Sequence, residues 1–307
     1  MPTPTALTLK RCASVLVAPN ETSHKYTRGV LGLVTGSDTY PGAALMSARA
    51  AVNTGAGLVR FVGSEALAFK VQLAVPETVC SSFTEPSAVR VDAWGLGSGL
   101  HGQTRERQVT QVLETGAAAI VDAGAVPLAA RLVTDGLKLG PHQIMTPHAG
   151  ELTEALAWLV ALAPHTLPGL KEPPERRDVE ESPAEYALIA ARALGATVLL
   201  KGGVTTVASP CGELLSVGGN TPWLATAGSG DTLTGVLGAL LAGYRARSSA
   251  HGGRETDYAY LAGAGALVHG LAAELVHEGG PRGPVPPTLV AQKLPAAMGI
   301  AVSQVTR

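Results

Sequence analysis

Short apolar runs alternate with helix-patterned segments along most of this chain, and its unusual polar and glycine residues collect where the runs end. Val30–Val34, Leu58–Val62, Val89–Trp94, Ala118–Val121, a run ending at Ile144–Met145, and Thr197–Leu200 each read as a buried strand. Ala43–Thr54, stopped by Gly55, Thr104–Thr115 and the run Leu233 to Leu241 read as helices. Thr205–Ala208 and Leu214–Val217 flank Pro210-Cys211-Gly212 and predict a hairpin. Repeated β-then-α units predict an α/β fold with a central, mostly parallel sheet covered by helices.

A length of 307 residues fits one large α/β domain or two small ones. The Pro- and charge-rich stretch 163–183 (KEPPERRDVEESP) reads as a surface insertion, because the α/β pattern resumes directly after it. Glycine accounts for 37 of the 307 residues, well above the average usage of about 7%, which predicts many tight turns and backbone-lined sites. A net charge of −1 gives no electrostatic case for nucleic acid or an anionic membrane. Cys12, Cys80 and Cys211 are far apart and form no CxxC pair, which argues against a disulfide framework or a zinc site. The N-terminus lacks the apolar core of a signal peptide, and Tyr258 to Val276 reads as a buried helix rather than a membrane span. A cytoplasmic protein is expected.

Ligands of open parallel sheets bind outside the carboxyl ends of the strands. The residues at those points are Gly36-Ser37-Asp38, Gly42-Ala43-Ala44, Gly95-Leu96-Gly97-Ser98-Gly99, Asp122, His148 with Glu151, Lys201-Gly202-Gly203, and Gly228-Ser229-Gly230-Asp231. The last group opens an apolar helical run, so the free N–H groups of a helix N-terminus would face an anion that glycines allow close. Asp231 puts a carboxylate where that anion would sit, as a base beside a transferring phosphoryl group or as a plain helix cap. Thr146 or His148 could cap a helix opening at Glu151. Gly97-Ser98-Gly99-Leu100-His101-Gly102 matches GxGxxG, and Asp122 follows at the distance of a dinucleotide-binding fingerprint. A Rossmann oxidoreductase is therefore a rival reading, although α/β units already precede this motif.

The ordered motifs HKYTRG with VTGSDTYPGAA, NTGAGLV, GLGSG before VDAGA, TPHAGE, and VLLKGGVT before LATAGSGDTLTG carry a resemblance. From about His24 to Ala273 the chain resembles the ADP-dependent NAD(P)H-hydrate dehydratases, whose fold is ribokinase-like. The resemblance implies a three-layer αβα domain over 24–307, with 1–23 as an extension and no fused epimerase domain before it. Leu96 and Ser98 stand where the family usually has Pro and Leu, Tyr26 where Gly is usual, and Gly124 where an acidic residue is common.

That resemblance implies dehydration of (6S)-NADHX or NADPHX to NADH or NADPH, in which ADP phosphorylates the ring hydroxyl and phosphate then leaves. It makes Asp231 the base, and the N–H groups of Gly228, Ser229 and Gly230 the anion hole. Ala44, Gly97, His148 and Asp231 would contact the hydrate. Lys201, Gly202, Gly203, Val204, Thr205 and Gly230 would line the AMP part of ADP. Mg²⁺ is expected to bridge phosphate oxygens, with Asp122 and Glu151 as metal-associated or supporting groups. A homo-oligomer, with a tetramer as one form, is expected. Competing functions are a small-molecule kinase on the same fold and a non-catalytic nucleotide sensor.

Overall fold

The computed structural model describes residues 3–81, 85–248, 254–278 and 280–305. In chain order its elements are β1 (Thr5–Ala6), β2 (Val30–Val34), α1 (Pro41–Thr54), β3 (Leu58–Val62), α2 (Glu65–Ala74), β4 (Thr78–Ser81), β5 (Ala93–Leu96) and α3 (Gln103–Glu114). They continue with β6 (Ala119–Val121), α4 (Ala125–Thr134), β7 (Gln143–Met145), α5 (Ala149–Leu162), α6 (Arg176–Glu181), α7 (Pro183–Leu194) and β8 (Thr197–Leu200). The hairpin β9 (Thr205–Ala208) and β10 (Leu214–Val217) follows, then α8 (Ser229–Ser248), α9 (Glu255–Glu274) and α10 (Pro287–Val305).

The ten strands form one sheet in the order β1-β10-β9-β8-β7-β6-β5-β2-β3-β4. From β8 to β4 every pair is parallel, while β9 runs antiparallel to both β8 and β10. Side chains alternate between faces with period two. Ile120, Ile144 and Leu199 enter one core with residues of α1, α8, α9 and α10; Val121, Met145 and Val198 enter the other with residues of α3, α4, α5 and α7. This is the expected three-layer αβα arrangement. The Tyr258–Val276 segment lies in α9 and its following turn; Glu255–His277 is long and apolar enough to cross a membrane, but 67% of its apolar window is buried inside the fold.

Three boundaries differ from the sequence reading. The Val89–Trp94 strand starts only at Ala93, because Pro86 opens a short turn and the Asp92 carboxylate accepts the Val30 N–H at 2.8 Å. Within 1–23, β1 pairs in parallel with β10, and Leu7, Cys12, Val15 and Leu16 are buried in the α1–α8 core. Within 163–183, Leu167 and Val179 are buried in the opposite core, while α6 shows solvent its Arg176–Glu180 and Arg177–Glu181 pairs.

Candidate active site

The chain order of the parallel strands reverses between β2 and β5, so the loops following them diverge and leave a crevice at the carboxyl edge. Arg105 of α3 fixes the loop after β2. Its buried guanidinium donates to the carbonyls of Thr35 at 2.6 Å, Gly36 at 2.9 Å and Val62 at 2.7 Å. The loop after β5 turns at Gly97 with φ of 97°, where a Cβ would stand 2.1 Å from the Asp122 carbonyl oxygen. Only glycine lets these two strand ends approach so closely.

Asp122, at the end of β6, is almost fully buried and accepts from donors on three other loops. Thr146 Oγ1 and Lys201 Nζ donate to its Oδ1 at 2.8 and 2.7 Å, and Ser98 Oγ donates to its Oδ2 at 2.8 Å. Burial alone would raise its pKa, but Lys201 and these hydrogen bonds outweigh it and hold the carboxyl below its ordinary value. Burial likewise disfavours the Lys201 ammonium, yet Asp122 and Glu151 keep its pKa raised. Ala123 follows with φ of 49°, a left-handed conformation rare outside glycine.

Asp231 sits in the first turn of α8, and no hydrogen bond ties its carboxylate to the helix end among the described residues. Burial first, then the neighbouring Asp122 charge, push its pKa up to about 6 against the opposing pull of Lys201. A methyl group on Gly230 would stand 3.6 Å from Lys201 Nζ and 3.7 Å from Asp122 Oδ2, so the helix end lies directly over this ion pair. The Ser229 N–H is turned back to the Thr226 carbonyl at 3.3 Å, which removes it from the expected anion hole. The N–H groups of Gly228 and Gly230 are free of backbone acceptors among the described residues.

His148 is the N-cap of α5, not Thr146, whose hydroxyl is committed to Asp122. The His148 ring accepts the Glu151 N–H at 3.1 Å while Glu151 Oε2 accepts the His148 N–H at 2.8 Å, a reciprocal capping box. Glu151 also lies 3.7 Å from Lys201 Nζ. The Lys201 N–H donates to the Pro147 carbonyl at 2.8 Å and so extends the β7–β8 ladder into the site.

These groups share one cavity of about 710 Å³, lined by Asp122, His148, Glu151, Lys201, Gly202, Gly203, Thr205, the Asn220–Asp231 loop, and Ala266 and His269 of α9. A second cavity, about 480 Å³ between the N-terminal segment, α8 and α10, has no carboxylate in its lining. Ala44 and Gly97 do not line the larger cavity. Ala44 is fully buried beneath Gly36, and Gly97 is buried against Asp122, so packing already accounts for both residues. Val204 is exposed and rests on Gly218 outside it. The Lys201 ammonium is turned to the carboxylates of Asp122 and Glu151 within the cavity. The GxGxxG segment serves its own fold: Ser98 donates to Asp122, whose carboxylate is buried and engaged by Ser98, Thr146 and Lys201. Sequence reading missed the Asp122 partnership of Ser98 and Thr146; Ser98's departure from the family pattern was the signal available. His269 and Asn220 gave no local signal at all. Among the described residues no group of three or more His, Cys, Asp or Glu side chains could hold a metal ion alone.

The sandwich, the mostly parallel sheet and the glycine-acid turn opening α8 define a ribokinase-like protein. A solved Bacillus subtilis ADP/ATP-dependent NAD(P)H-hydrate dehydratase, co-crystallised with ATP/Mg²⁺, superposes with a TM-score of 0.77 at 26% identity, covering 97% of this chain and 99% of that one. The NAD(P)H-hydrate dehydratase family matches residues 31–296, and the chain belongs to that family. It is 33% identical to the ADP-dependent (S)-NAD(P)H-hydrate dehydratase of Neisseria meningitidis, over 88% of this chain and 85% of that protein. It is 38% identical to a bifunctional NAD(P)H-hydrate repair enzyme of Mycobacterium tuberculosis, and spans only 43% of the length of that relative.

Proposed function

We propose that the chain dehydrates (6S)-NADHX and NADPHX to NADH and NADPH at the expense of ADP. The observation that carries this reading is the desolvated Asp231 carboxylate at an amide-lined helix end, over the Asp122–Lys201 pair, inside one cavity. Asp231 takes the proton of the ring hydroxyl, and that oxygen attacks the terminal phosphorus of ADP, releasing AMP. Phosphoryl transfer of this kind depends on positioning and charge stabilisation. The Gly228 and Gly230 N–H groups and the Lys201 ammonium face the negative charge that develops. The ring nitrogen lone pair then expels phosphate, and loss of a ring proton restores the dihydronicotinamide. His148, exposed at the rim, contacts the hydrate; Gly202, Gly203 and Thr205 line the nucleotide side.

Mg²⁺ fits this site only with phosphate oxygens as most of its ligands, because the protein supplies separate carboxylates already shared with Lys201 and the α5 cap. When bound it would neutralise phosphate charge, with Asp122, Glu151 and Asp231 as the carboxylates in the cavity lining. We further propose a cytoplasmic homo-oligomer, for which exposed Phe69 and Leu73 on α2 and Val79 on the edge strand β4 offer apolar surface.

The test supplies hydrate with ADP or ATP and follows absorbance in the reduced-nicotinamide band together with nucleotide and phosphate. Recovery of absorbance with one AMP and one phosphate per turnover from ADP is expected. Accumulation of a stable phosphorylated product without recovery would make the chain a kinase instead.

A further inference from the structure

Ser98 Oγ stands between two polar groups, 2.8 Å from Asp122 Oδ2 and 3.1 Å from Thr234 Oγ1. Ser98 and Thr234 are both buried. A hydroxyl has one proton and accepts on its lone pairs, whereas an ionised carboxylate only accepts. Asp122 stays ionised despite its burial, because Lys201 and its hydrogen bonds outweigh desolvation. Ser98 therefore gives its proton to Asp122, and the Thr234 hydroxyl donates to Ser98. The result is a directed chain from α8, through the loop after β5, to the end of β6. Through Asp122 Oδ1 it continues to Lys201 just past β8.

Both ends of this chain bear on the site. Oδ2 is the Asp122 oxygen nearer α8, 3.7 Å from the position of a Cβ on Gly230, with Oδ1 beyond 4 Å. The Gly230 N–H has no backbone acceptor among the described residues. A carboxylate beside a helix N-terminus is drawn to such an N–H. Ser98 gives Oδ2 a fixed partner other than that N–H. At the other end, Thr234 lies three residues after Asp231, one turn further along the same side of α8. Its Cγ2 would stand 3.5 Å from a Cβ on Gly95, so its methyl meets β5 while its hydroxyl meets the loop that follows. Neither Ser98 nor Thr234 lines the cavity, so neither touches a ligand there. Ser98 stands where the family usually has Leu, which has no proton to give, so the chain of hydroxyls is this protein's own.

Resting on the phosphoryl-transfer reading above, we propose that Ser98, locked by Thr234, is a positioning residue for that step: it holds Asp122 Oδ2 in place against the first turn of α8 and so sets where Asp231 and the Gly230 N–H stand relative to the phosphoryl group. Without the Ser98 proton, Oδ2 is free to turn to the helix end and compete there for the amide that the phosphoryl group needs. Without the Thr234 hydroxyl, Ser98 keeps Asp122 but loses its tie to α8. A misplacement of about 1 Å can cost about a hundredfold in rate. Nucleotide binding depends on the cavity lining, which both side chains leave untouched, so the effect falls on kcat.

The experiment compares the wild type with Ser98→Ala, Thr234→Val, which removes the hydroxyl at constant shape, Thr234→Ser, which keeps it, and the Ser98→Ala/Thr234→Val double variant. It reads kcat with hydrate and ADP, ADP affinity by calorimetry, and hydrogen exchange over residues 226–236. Ser98→Ala should lower kcat about tenfold and Thr234→Val about fivefold, with ADP affinity within about twofold of wild type. Thr234→Ser should stay near the wild-type kcat. The double variant should be no slower than Ser98→Ala, because both hydroxyls act in one chain. Exchange in the first turn of α8 should quicken in Ser98→Ala and Thr234→Val and not in Thr234→Ser. Thermal unfolding checks that each variant is folded; if Ser98→Ala is not, the two Thr234 variants decide. A Ser98→Ala variant with wild-type kcat, a Thr234→Ser variant as slow as Thr234→Val, a double variant whose loss is the product of the single losses, or a fall in ADP affinity equal to the fall in kcat overturns the proposal. A wild type that turns over no hydrate with ADP overturns the proposed function. Exchange then decides the hold on α8 by itself: quickened exchange in Ser98→Ala and Thr234→Val supports it, and unchanged exchange overturns it.

Discussion

Asp231 and Asp122 are both buried carboxylates in one cavity, yet their environments push their pKa values in opposite directions. Asp122 has Lys201, Thr146 and Ser98 as donors and stays ionised; Asp231 lacks such donors and titrates near 6. The sign follows directly for catalysis. Below about pH 6 Asp231 carries its own proton and cannot take one, so kcat/KM should rise as pH increases through about 6 and level off above it. Asp231→Asn keeps the shape and removes the acceptor; turnover should fall by more than a hundredfold while ADP affinity, read by calorimetry, changes little. Near wild-type turnover in that variant would strip Asp231 of its role. Lys201→Met should act differently, because it leaves Asp122 buried without its cation. A loss of about 3 kcal/mol in urea-monitored stability is expected, alongside weaker ADP binding. His148→Ala removes the α5 cap and the rim contact together, so its effect on hydrate KM has to exceed its effect on stability, about 1 kcal/mol for a lost cap.

The loops, more than the helices and strands, distinguish this site from other α/β crevices, and Arg105 shows how one is held. Its guanidinium spans three carbonyls of the segments after β2 and β3, although it sits on α3. Arg105→Leu would leave those carbonyls unpaired in a buried place, costing about 3 kcal/mol and freeing the loop that carries Gly36. Chevron or equilibrium unfolding measures the first effect, and a raised hydrate KM with little change in that for ADP measures the second. This element-level design also explains what the sequence could and could not reveal. β2, β3, β8, β9 and β10 were legible to the residue because apolar period and turn residues are local properties. The start of β5 was not, since it depends on the Asp92 carboxylate meeting the Val30 N–H sixty-two positions away. The turn at Gly228–Asp231 opening α8 was visible from its residue types. The Ser98–Asp122–Thr146–Lys201 cluster was visible only as separate letters, because its hydrogen bonds span 24 to 79 positions and exist only once the strands align. His269 was hidden for the same reason: an isolated histidine in an apolar helix is identical in sequence whether it meets solvent, core or ligand.

At the scale of the molecule, the first residues behave as part of the domain they seemed to precede. β1 adds a parallel strand to the β10 edge, and Leu16, with 1% exposure, packs in the same core as Leu240 and Leu241 of α8. The N-terminal segment thus shares a core with the helix whose first turn holds Asp231. From Asp231 to Leu240 the helix rises about 13 Å, so the contact is remote from the chemistry while sharing one rigid element with it. Leu16→Ala should therefore lower stability by about 2–5 kcal/mol, the usual cost of a buried leucine cavity. If this segment were an appendage, the loss would be a few tenths of a kcal/mol at most, within surface-substitution range. Differential scanning calorimetry separates the two outcomes. Well below the transition, the same variant should keep its ADP affinity and the pH 6 limb of its rate profile, because the first turn of α8 is held locally by Gly228, Thr232 and the packing of Gly235 on the Ser47 carbonyl of α1. A Leu16→Ala variant with unchanged melting temperature would show that the buried part of the N-terminal segment around Leu16 contributes little to the fold. One that melts normally but loses the pH 6 limb would show that α8 transmits strain along its length to Asp231.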